Sequence, residues 1–265
     1  MEPIRIEDPD DPRVDAYRNV RERDLAGRQG RFIAEGKVVL NVLFSARRFE
    51  AESALVLENR FAGMTETFRH APEGLPVYIA SSAVMDALAG FHIHRGILAI
   101  GRKRKAELAS ELLATLPERA LVVALVGIAN HDNMGAIFRN AAAFGAHAVL
   151  IDNTCCDPLY RKAIRVSVGA ALKVPFATGG SPDELAATLD SHGLDQIALS
   201  PAGAVDVRNI ERSDRMALYL GTEGEGLPGR LLDRLKTVRI SMAPGFDSLN
   251  VAAVSAIALH QLRDL

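Results

Sequence analysis

An arginine, two asparagines and a glutamate, spread over three glycine-flanked segments, are the residues of this sequence best suited to chemistry. Asn130-His131-Asp132-Asn133-Met134-Gly135-Ala136-Ile137-Phe138-Arg139-Asn140 follows directly on the apolar run Leu121 to Val126. Polar side chains thus crowd the end of a buried strand, where α/β folds place their chemistry. The pattern of a strand followed by glycines and polar groups recurs in Leu218 to Pro228, which contains Gly221-Thr222-Glu223-Gly224-Glu225-Gly226, and again in Ile240 to Asn250. A guanidinium is always charged, so Arg139 can hold an anion or stabilise developing negative charge. Asn133 and Asn250 can donate and accept hydrogen bonds without adding charge. Glu223 can anchor its loop, pair with Arg139 or act as a base, and the sequence leaves all three open. Ser248 reads as a hydrogen-bonding partner or cap of the terminal helix rather than a nucleophile.

The elements that must position these residues alternate along the chain. From Ala120 onward, Leu121 to Val126, Ala148 to Ile151, Gln196 to Leu199, Met216 to Leu220 and Thr237 to Ile240 read as strands separated by helical stretches, which predicts a mostly parallel sheet covered by helices. One helix runs from about Met134 to Phe144 and stops at Gly145. The last, Leu249 to Leu262, is so rich in alanine and branched aliphatics that most of its circumference should be buried, in a core or a subunit interface. Upstream, Phe32 to Gly101 reads as a small α/β unit, with helices at Gly36 to Phe44 and Ser82 to Leu88, the second capped by Ser81 or Ser82, and strands at Ser53 to Leu57, Pro76 to Ala80 and Gly96 to Ile100. The basic run Arg102-Lys103-Arg104-Lys105 and a short helix at Ala106 to Leu116 mark the domain boundary, giving domains 1–105 and 106–265.

Composition narrows the function classes. At 265 residues and 48% hydrophobic content the chain has length for one large domain or two modest ones. No apolar run approaches the roughly 20 residues of a membrane span, and the acidic start is the wrong composition for a signal peptide, so a cytoplasmic protein is expected. Cys155 and Cys156 are adjacent, and His92 and His94 lack ligand spacing; no metal is expected. The formal net charge of −2 hides an excess of Arg18, Arg21, Arg23, Arg28, Arg31, Lys37, Arg47 and Arg48 over Glu22, Asp24 and Glu35. That excess reads either as a basic field for a polyanion or as a solvated surface with ordinary ion pairs. Three enzyme classes drop out. The turn after Leu121 to Val126 lacks Gly-x-Gly-x-x-Gly, no Gly-Lys-Ser/Thr follows Gly221, Gly224 and Gly226, and there is no Gly-x-Ser-x-Gly.

The three segments together resemble the motifs of the SpoU (TrmH) family, within the SPOUT class of S-adenosylmethionine-dependent RNA methyltransferases. Asn133-Met134-Gly135-Ala136-Ile137-Phe138-Arg139 with Phe144-Gly145-Ala146 resembles the first motif, Gly221 to Leu227 the second, and Ser248-Leu249-Asn250-Val251 the third. Asp157-Pro158 to Ala163 and Arg165 to Ala170 are similar to the segment between the first two. Gly30 to Gly36 and Arg95 to Ala99 are similar to the ends of the family's N-terminal domain, although His92-Ile93-His94-Arg95 departs from its usual His-Pro-Gln.

The resemblance implies an α/β fold with a C-terminal SPOUT domain, its parallel sheet closed by a deep trefoil knot, and a small N-terminal α/β substrate-binding domain. It implies S-adenosyl-L-methionine as cofactor, held around Leu220, Gly221, Ile240 and Leu249, and methyl transfer to a ribose 2′-hydroxyl of structured RNA, with rRNA favoured over tRNA. Arg139, Asn133, Glu223, Asn250 and Ser248 carry over as the catalytic set, with Arg139 gripping the RNA phosphate and stabilising alkoxide charge. A homodimer through the methyltransferase domain is implied as well. The competing reading is an RNA-binding or ribosome-assembly protein that keeps the fold without catalysis.

Overall fold

The computed structural model describes residues 2–18, 30–90, 95–105, 107–222, 224–246 and 248–263. Its contacts divide the chain into two units: Met1–Lys105 with Asp157–Lys173, and Ala106–Cys156 with Val174–Leu265.

The first unit is built on five strands, β1 (Ile4–Ile6), β2 (Arg31–Glu35), β3 (Glu50–Leu57), β4 (Val77–Ala80) and β5 (Ile97–Arg102), in the order β1-β4-β3-β5-β2. The β1–β4 and β4–β3 pairs are parallel, whereas β5 runs antiparallel to both β3 and β2. Alternate residues Ile33, Leu55, Tyr78, Leu98 and Ile100 pack with Val14, Tyr17, Met85 and Leu88. The helix Lys37–Ala46 buries Val39, Leu40, Leu43 and Phe44, an apolar stripe at helical spacing. The helix Ser82–Ala89 starts at Ser81, whose Oγ accepts from the Val84 N–H at 3.3 Å.

Two strands and one segment go beyond the sequence pattern. β1 has three residues among acids and prolines, too few for alternation to show. β2 carries a buried Glu35, which breaks its apolar run. That carboxylate is paired with Arg161 at 3.2 Å and Arg165 at 3.9 Å, and Lys103 pairs with Asp157. The short helix Ala170–Lys173 packs on Lys37–Ala46. These contacts join Asp157–Lys173 to the first unit, although the sequence pattern runs it continuously with the second. Long-range ion pairs leave no trace in local periodicity.

The second unit is an α/β fold with a seven-stranded, all-parallel sheet. β6 (Ala120–Leu125), β7 (Ala148–Ile151), β8 (Phe176–Thr178), β9 (Asp195–Leu199), β10 (Val205–Asp206), β11 (Arg215–Leu220) and β12 (Lys236–Arg239) lie in the order β10-β12-β9-β11-β6-β7-β8. Every residue of β6 is buried, as a central parallel strand covered on both faces requires. Val122, Ala124 and Val126 share a core with Leu112 and Leu113, with Leu185 and Leu189, and with Leu231, which come from three covering helices. β8 and β10 are two- to three-residue edge strands, too short to stand out in the sequence.

Two helices complete this unit where the chemistry is expected. His131–Ala143 begins three residues before the expected start because Asn130 caps it, its Oδ1 accepting from the Asp132 and Asn133 N–H groups. It ends at Gly145, whose φ of +73° lets Ala146 N–H turn back to the Ala141 carbonyl at 2.9 Å. The terminal helix Val251–Leu262 buries Val251, Ser255, Ala258, Leu259 and Leu262 but leaves Ala253 and Ile257 exposed. With His260 and Gln261 these exposed residues share one sector of the helix, and its remaining positions are buried or half-buried.

Candidate active site

Parallel strands align their carboxyl ends along one edge of the sheet, and a cavity of about 440 Å³ opens where β9, β11 and β12 finish. Leu220, Gly221, Ile240 and Leu249, the four expected cofactor positions, all line it, and so does Ser248. One wall is the loop Gly221–Leu227, folded on itself by an antiparallel bridge between Thr222 and Gly226. Gly221 has to be glycine, because a Cβ there would sit 2.6 Å from the Gly226 carbonyl carbon and the Leu227 nitrogen. The opposite wall begins at Ile240 and Met242. It is pinned by the neighbouring Ser241, whose hydroxyl donates to Asp206. Hydrogen bonds from Arg208, then from Ser241, hold the Asp206 carboxyl well below the usual carboxylate range.

The first and third segments meet side by side. Asn250 Nδ2 donates to Asn133 Oδ1 at 3.0 Å, and Asn250 Oδ1 accepts from the Ala252 N–H at 2.9 Å, making Asn250 the cap of the terminal helix. Ser248, expected as a candidate for that cap, faces the cavity instead. Further along the same two helices, Asn140 Nδ2 donates to the Ala252 carbonyl at 2.8 Å and to Ser255 Oγ at 2.9 Å. Phe144 and His260 then meet edge to face at 5.6 Å. Positions 133, 140 and 144 thus climb one helix while 250, 252/255 and 260 climb the other, so the two helices run parallel.

Arg139 stands apart from this seam. Its side chain is exposed, makes no hydrogen bond or ion pair among the described residues, and is not among those lining the cavity of its own chain. Glu223 lies outside the described residues, as do Arg21, Arg23, Arg28 and the His92-Ile93-His94 segment. In the first unit much of the remaining basic excess is locally offset. Arg18 pairs with Asp10 at 2.7 Å and Asp15 at 3.1 Å, and Arg31 and Arg102 share Glu52 at 2.7 and 2.6 Å.

The SpoU rRNA Methylase family model matches residues 120–260, which span the whole of this site. An uncharacterised tRNA/rRNA methyltransferase of Mycobacterium bovis is 38% identical, covering 96% of this chain and 89% of its own length. The chain belongs to the SpoU rRNA methylase family. A crystal structure of an RNA 2′-O ribose methyltransferase is similar at 27% identity and a TM-score of 0.78, with 98% of each chain covered. The AdoMet-bound rRNA methyltransferase of Sinorhizobium meliloti shares the fold, with a TM-score of 0.81 at 23% identity over 98% of this chain and 97% of that one.

Within this SpoU family member, sequence reasoning passed over several wall residues. Leu199-Ser200-Pro201, Met242, Val251 and Val254 also line the cavity. The only signal for the first three was a Ser-Pro turn after an apolar run, with no charge to mark it. Asp152 was missed altogether. It is buried, and its Oδ1 accepts from the N–H groups of Gly127 at 3.2 Å, Thr154 at 3.1 Å and Cys155 at 3.0 Å. Cys155 Sγ in turn accepts from the Ile128 N–H at 3.1 Å. Burial, reinforced by Asp152, pushes the Cys155 thiol well above its ordinary range. The turn at 152–156 thereby latches the loop that launches the His131–Ala143 helix.

Proposed function

We propose that this SpoU family member methylates a ribose 2′-hydroxyl of structured RNA, with rRNA favoured over tRNA, using S-adenosyl-L-methionine. The observation that carries this reading is the single cavity lined by Leu220, Gly221, Ile240, Leu249 and Ser248, beside a seam that ties Asn133 to Asn250. Its volume lies within the range of small-molecule sites. Its lining suits the cofactor. Leu220, Ile240, Leu249, Val251 and Val254 offer apolar surface to an adenine ring, while the backbone of the Gly221–Leu227 loop offers donors and acceptors that glycines leave uncovered. When bound there, the sulfonium supplies an electrophilic methyl group.

The attacking hydroxyl must shed its proton as its oxygen meets that methyl in line. Arg139 is permanently charged, so we assign it the RNA phosphate and the developing alkoxide rather than the proton itself. Asn133 and Asn250 hold the two helices that flank the site, and Glu223 anchors its loop, pairs with Arg139 or takes the proton. Because Arg139 is exposed and does not line its own cavity, we assign it to the cavity of a second copy in a homodimer. Ile257, 39% exposed, with the exposed Ala253 one turn before it, gives the terminal helix an apolar edge suited to that interface, and Leu249, 45% exposed, adds apolar surface just before the helix cap.

We also read the second unit as knotted. β12 lies on the far side of β9 from β11, yet the helix that follows β12 packs on the helix that follows β6. The chain must therefore cross back over the ends of β9 and β11 after β12, as a trefoil requires. The first unit is read as the RNA-binding domain, and the cytoplasm, where RNA is modified, as the compartment. Among the described residues no helix is long and apolar enough to cross a membrane.

The test is transfer of a labelled methyl group from S-adenosylmethionine to deproteinised RNA from cells lacking the gene, followed by alkaline hydrolysis. Ribose 2′-O-methylation protects the adjacent phosphodiester, so the label should appear in alkali-resistant dinucleotides from rRNA. Label confined to mononucleotides would mean base methylation and refute the assignment. RNA binding with no transfer at all would favour a protein that keeps the fold without catalysis.

A further inference from the structure

We propose that Phe246 is a stacking platform for a nucleobase of the RNA substrate at the rim of the methyl-donor cavity; this deepens, and rests on, the methyltransferase reading above. The side chain is 76% exposed, the most exposed of the large apolar residues among those described. A phenyl ring left in water forgoes a large hydrophobic gain, so its presentation needs a cause. The backbone beneath it forms a defined turn. Phe246 N–H donates to the Ala243 carbonyl at 3.2 Å, Pro244 occupies the second position of that turn, and Gly245 occupies the third with φ +86°. Proline fixes its own φ and glycine alone enters the positive region freely, the combination that builds a tight type II turn. The chain therefore turns tightly at the foot of the exposed ring.

Its place in the fold points to the substrate. Met242 immediately precedes the turn, Ser248 and Leu249 lie two and three residues after Phe246, and all three line the cavity. Phe246 thus stands in the chain between residues that line the cavity, and we place it where a ribose presented to that cavity brings its base. The chemistry of the surroundings favours a base over a protein partner. Among the described neighbours in sequence, Ser241, Ala243, Pro244, Gly245 and Ser248 are exposed but small or polar and only Leu249, 45% exposed, adds a large apolar side chain, less apolar surface than a protein partner covers. A base needs one flat ring and accepts a bare one, because stacking uses the π-face that every nucleobase carries. Phe246 thus orients the nucleotide whose ribose is presented, and it does so without reading sequence.

The experiment compares F246A, F246L and F246W in the full chain with the unaltered protein. Methyl transfer is measured against increasing deproteinised RNA from cells lacking the gene, S-adenosylmethionine affinity by calorimetry, and assembly by light scattering. Alanine and leucine should each raise the RNA concentration for half-maximal rate by roughly tenfold or more, whereas tryptophan should stay within about twofold of the parent. Cofactor affinity and oligomeric state should not change in any variant, which also reports that each is folded. Three results overturn the subsite while leaving the enzyme reading intact: F246A saturating like the parent, F246L restoring RNA use as well as F246W, or dissociation of the oligomer, which would assign the ring to a second copy. No transfer by the unaltered chain would overturn the methyltransferase reading and this subsite with it.

Discussion

Three glycines in one cavity wall make a graded test of how this site is built, with Gly221→Ala as the decisive member. The added methyl would sit 2.6 Å from two backbone atoms, the Gly226 carbonyl carbon and the Leu227 nitrogen. Comfortable separations are about 3.5–4.0 Å, so the Gly226–Leu227 strand must retreat by roughly 1 Å. No side chain can swing aside to absorb this. The Thr222–Gly226 bridge must open, and with it the cavity wall moves. Overpacking of this kind costs about 1–3 kcal/mol. If the loop relieves it by shifting, that energy appears as lost cofactor affinity of about 5- to 150-fold. Gly226, at φ +72° with open space around it, should lose only about 1 kcal/mol on change to alanine, from the left-handed backbone. Gly224→Ala should be nearly silent, since that Cβ meets nothing within 4 Å. Calorimetry with S-adenosylmethionine on the three variants, alongside thermal melts, measures the series. A Gly221→Ala protein that binds within about twofold of the parent, or a Gly224→Ala protein as impaired as Gly221→Ala, would refute the steric account.

Arg139→Ala should lower methyl transfer by about 10²- to 10³-fold while leaving melting temperature and cofactor affinity unchanged, because among the described residues its guanidinium makes no hydrogen bond or ion pair. Arg139→Lys should recover little, since an ammonium cannot reproduce the planar fork; a fully active alanine variant would remove this residue from the mechanism. Ile257→Glu should split the dimer in light scattering and abolish transfer together, and a parent chain that is already monomeric at micromolar concentration would sink the shared site. Asn250→Ser keeps a capping oxygen but loses the donor to Asn133, so denaturant titration should show a loss of about 1 kcal/mol. Asn250→Ala should lose about 1 kcal/mol more for the missing cap, and equal losses in the two variants would contradict the capping role.

What the sequence made legible followed from local chemistry. Leu121 to Val126 is an uninterrupted apolar run because a central parallel strand is covered on both faces, and the structure places β6 at Ala120–Leu125. Gly145 marks a helix end because a left-handed residue must stand there. That Leu220, Gly221, Ile240 and Leu249 share one cavity was legible only through motif resemblance, since they carry no charge and are spread along the chain. The cavity that gathers them exists because three parallel strands finish on one edge. Illegible parts depended on distance. Glu35 looks like a defect in a strand until Arg161 arrives from more than a hundred residues away. Asp152 looks like an ordinary turn residue until the Gly127 and Cys155 amides converge on it.

The polar residues that looked catalytic in the sequence divide by what the fold already asks of them. Asn130 caps one helix and Asn250 the other, Asn133 binds Asn250, and Asn140 holds Ala252 and Ser255. Each therefore has a structural task that would keep it in place without any reaction, and together they fasten the helix after β6 to the helix that begins at the cavity. Such a seam explains how segments more than a hundred residues apart form one site: moving either helix would open a run of hydrogen bonds and shift Val251 and Val254, which line the cavity wall. Arg139 carries no such task. Carried on the same helix, charged and exposed, it makes no hydrogen bond or ion pair among the described residues, which suits its guanidinium to a group outside the chain. Loss of activity on changing the asparagines thus reports on the frame, and loss on changing Arg139 reports on the chemistry.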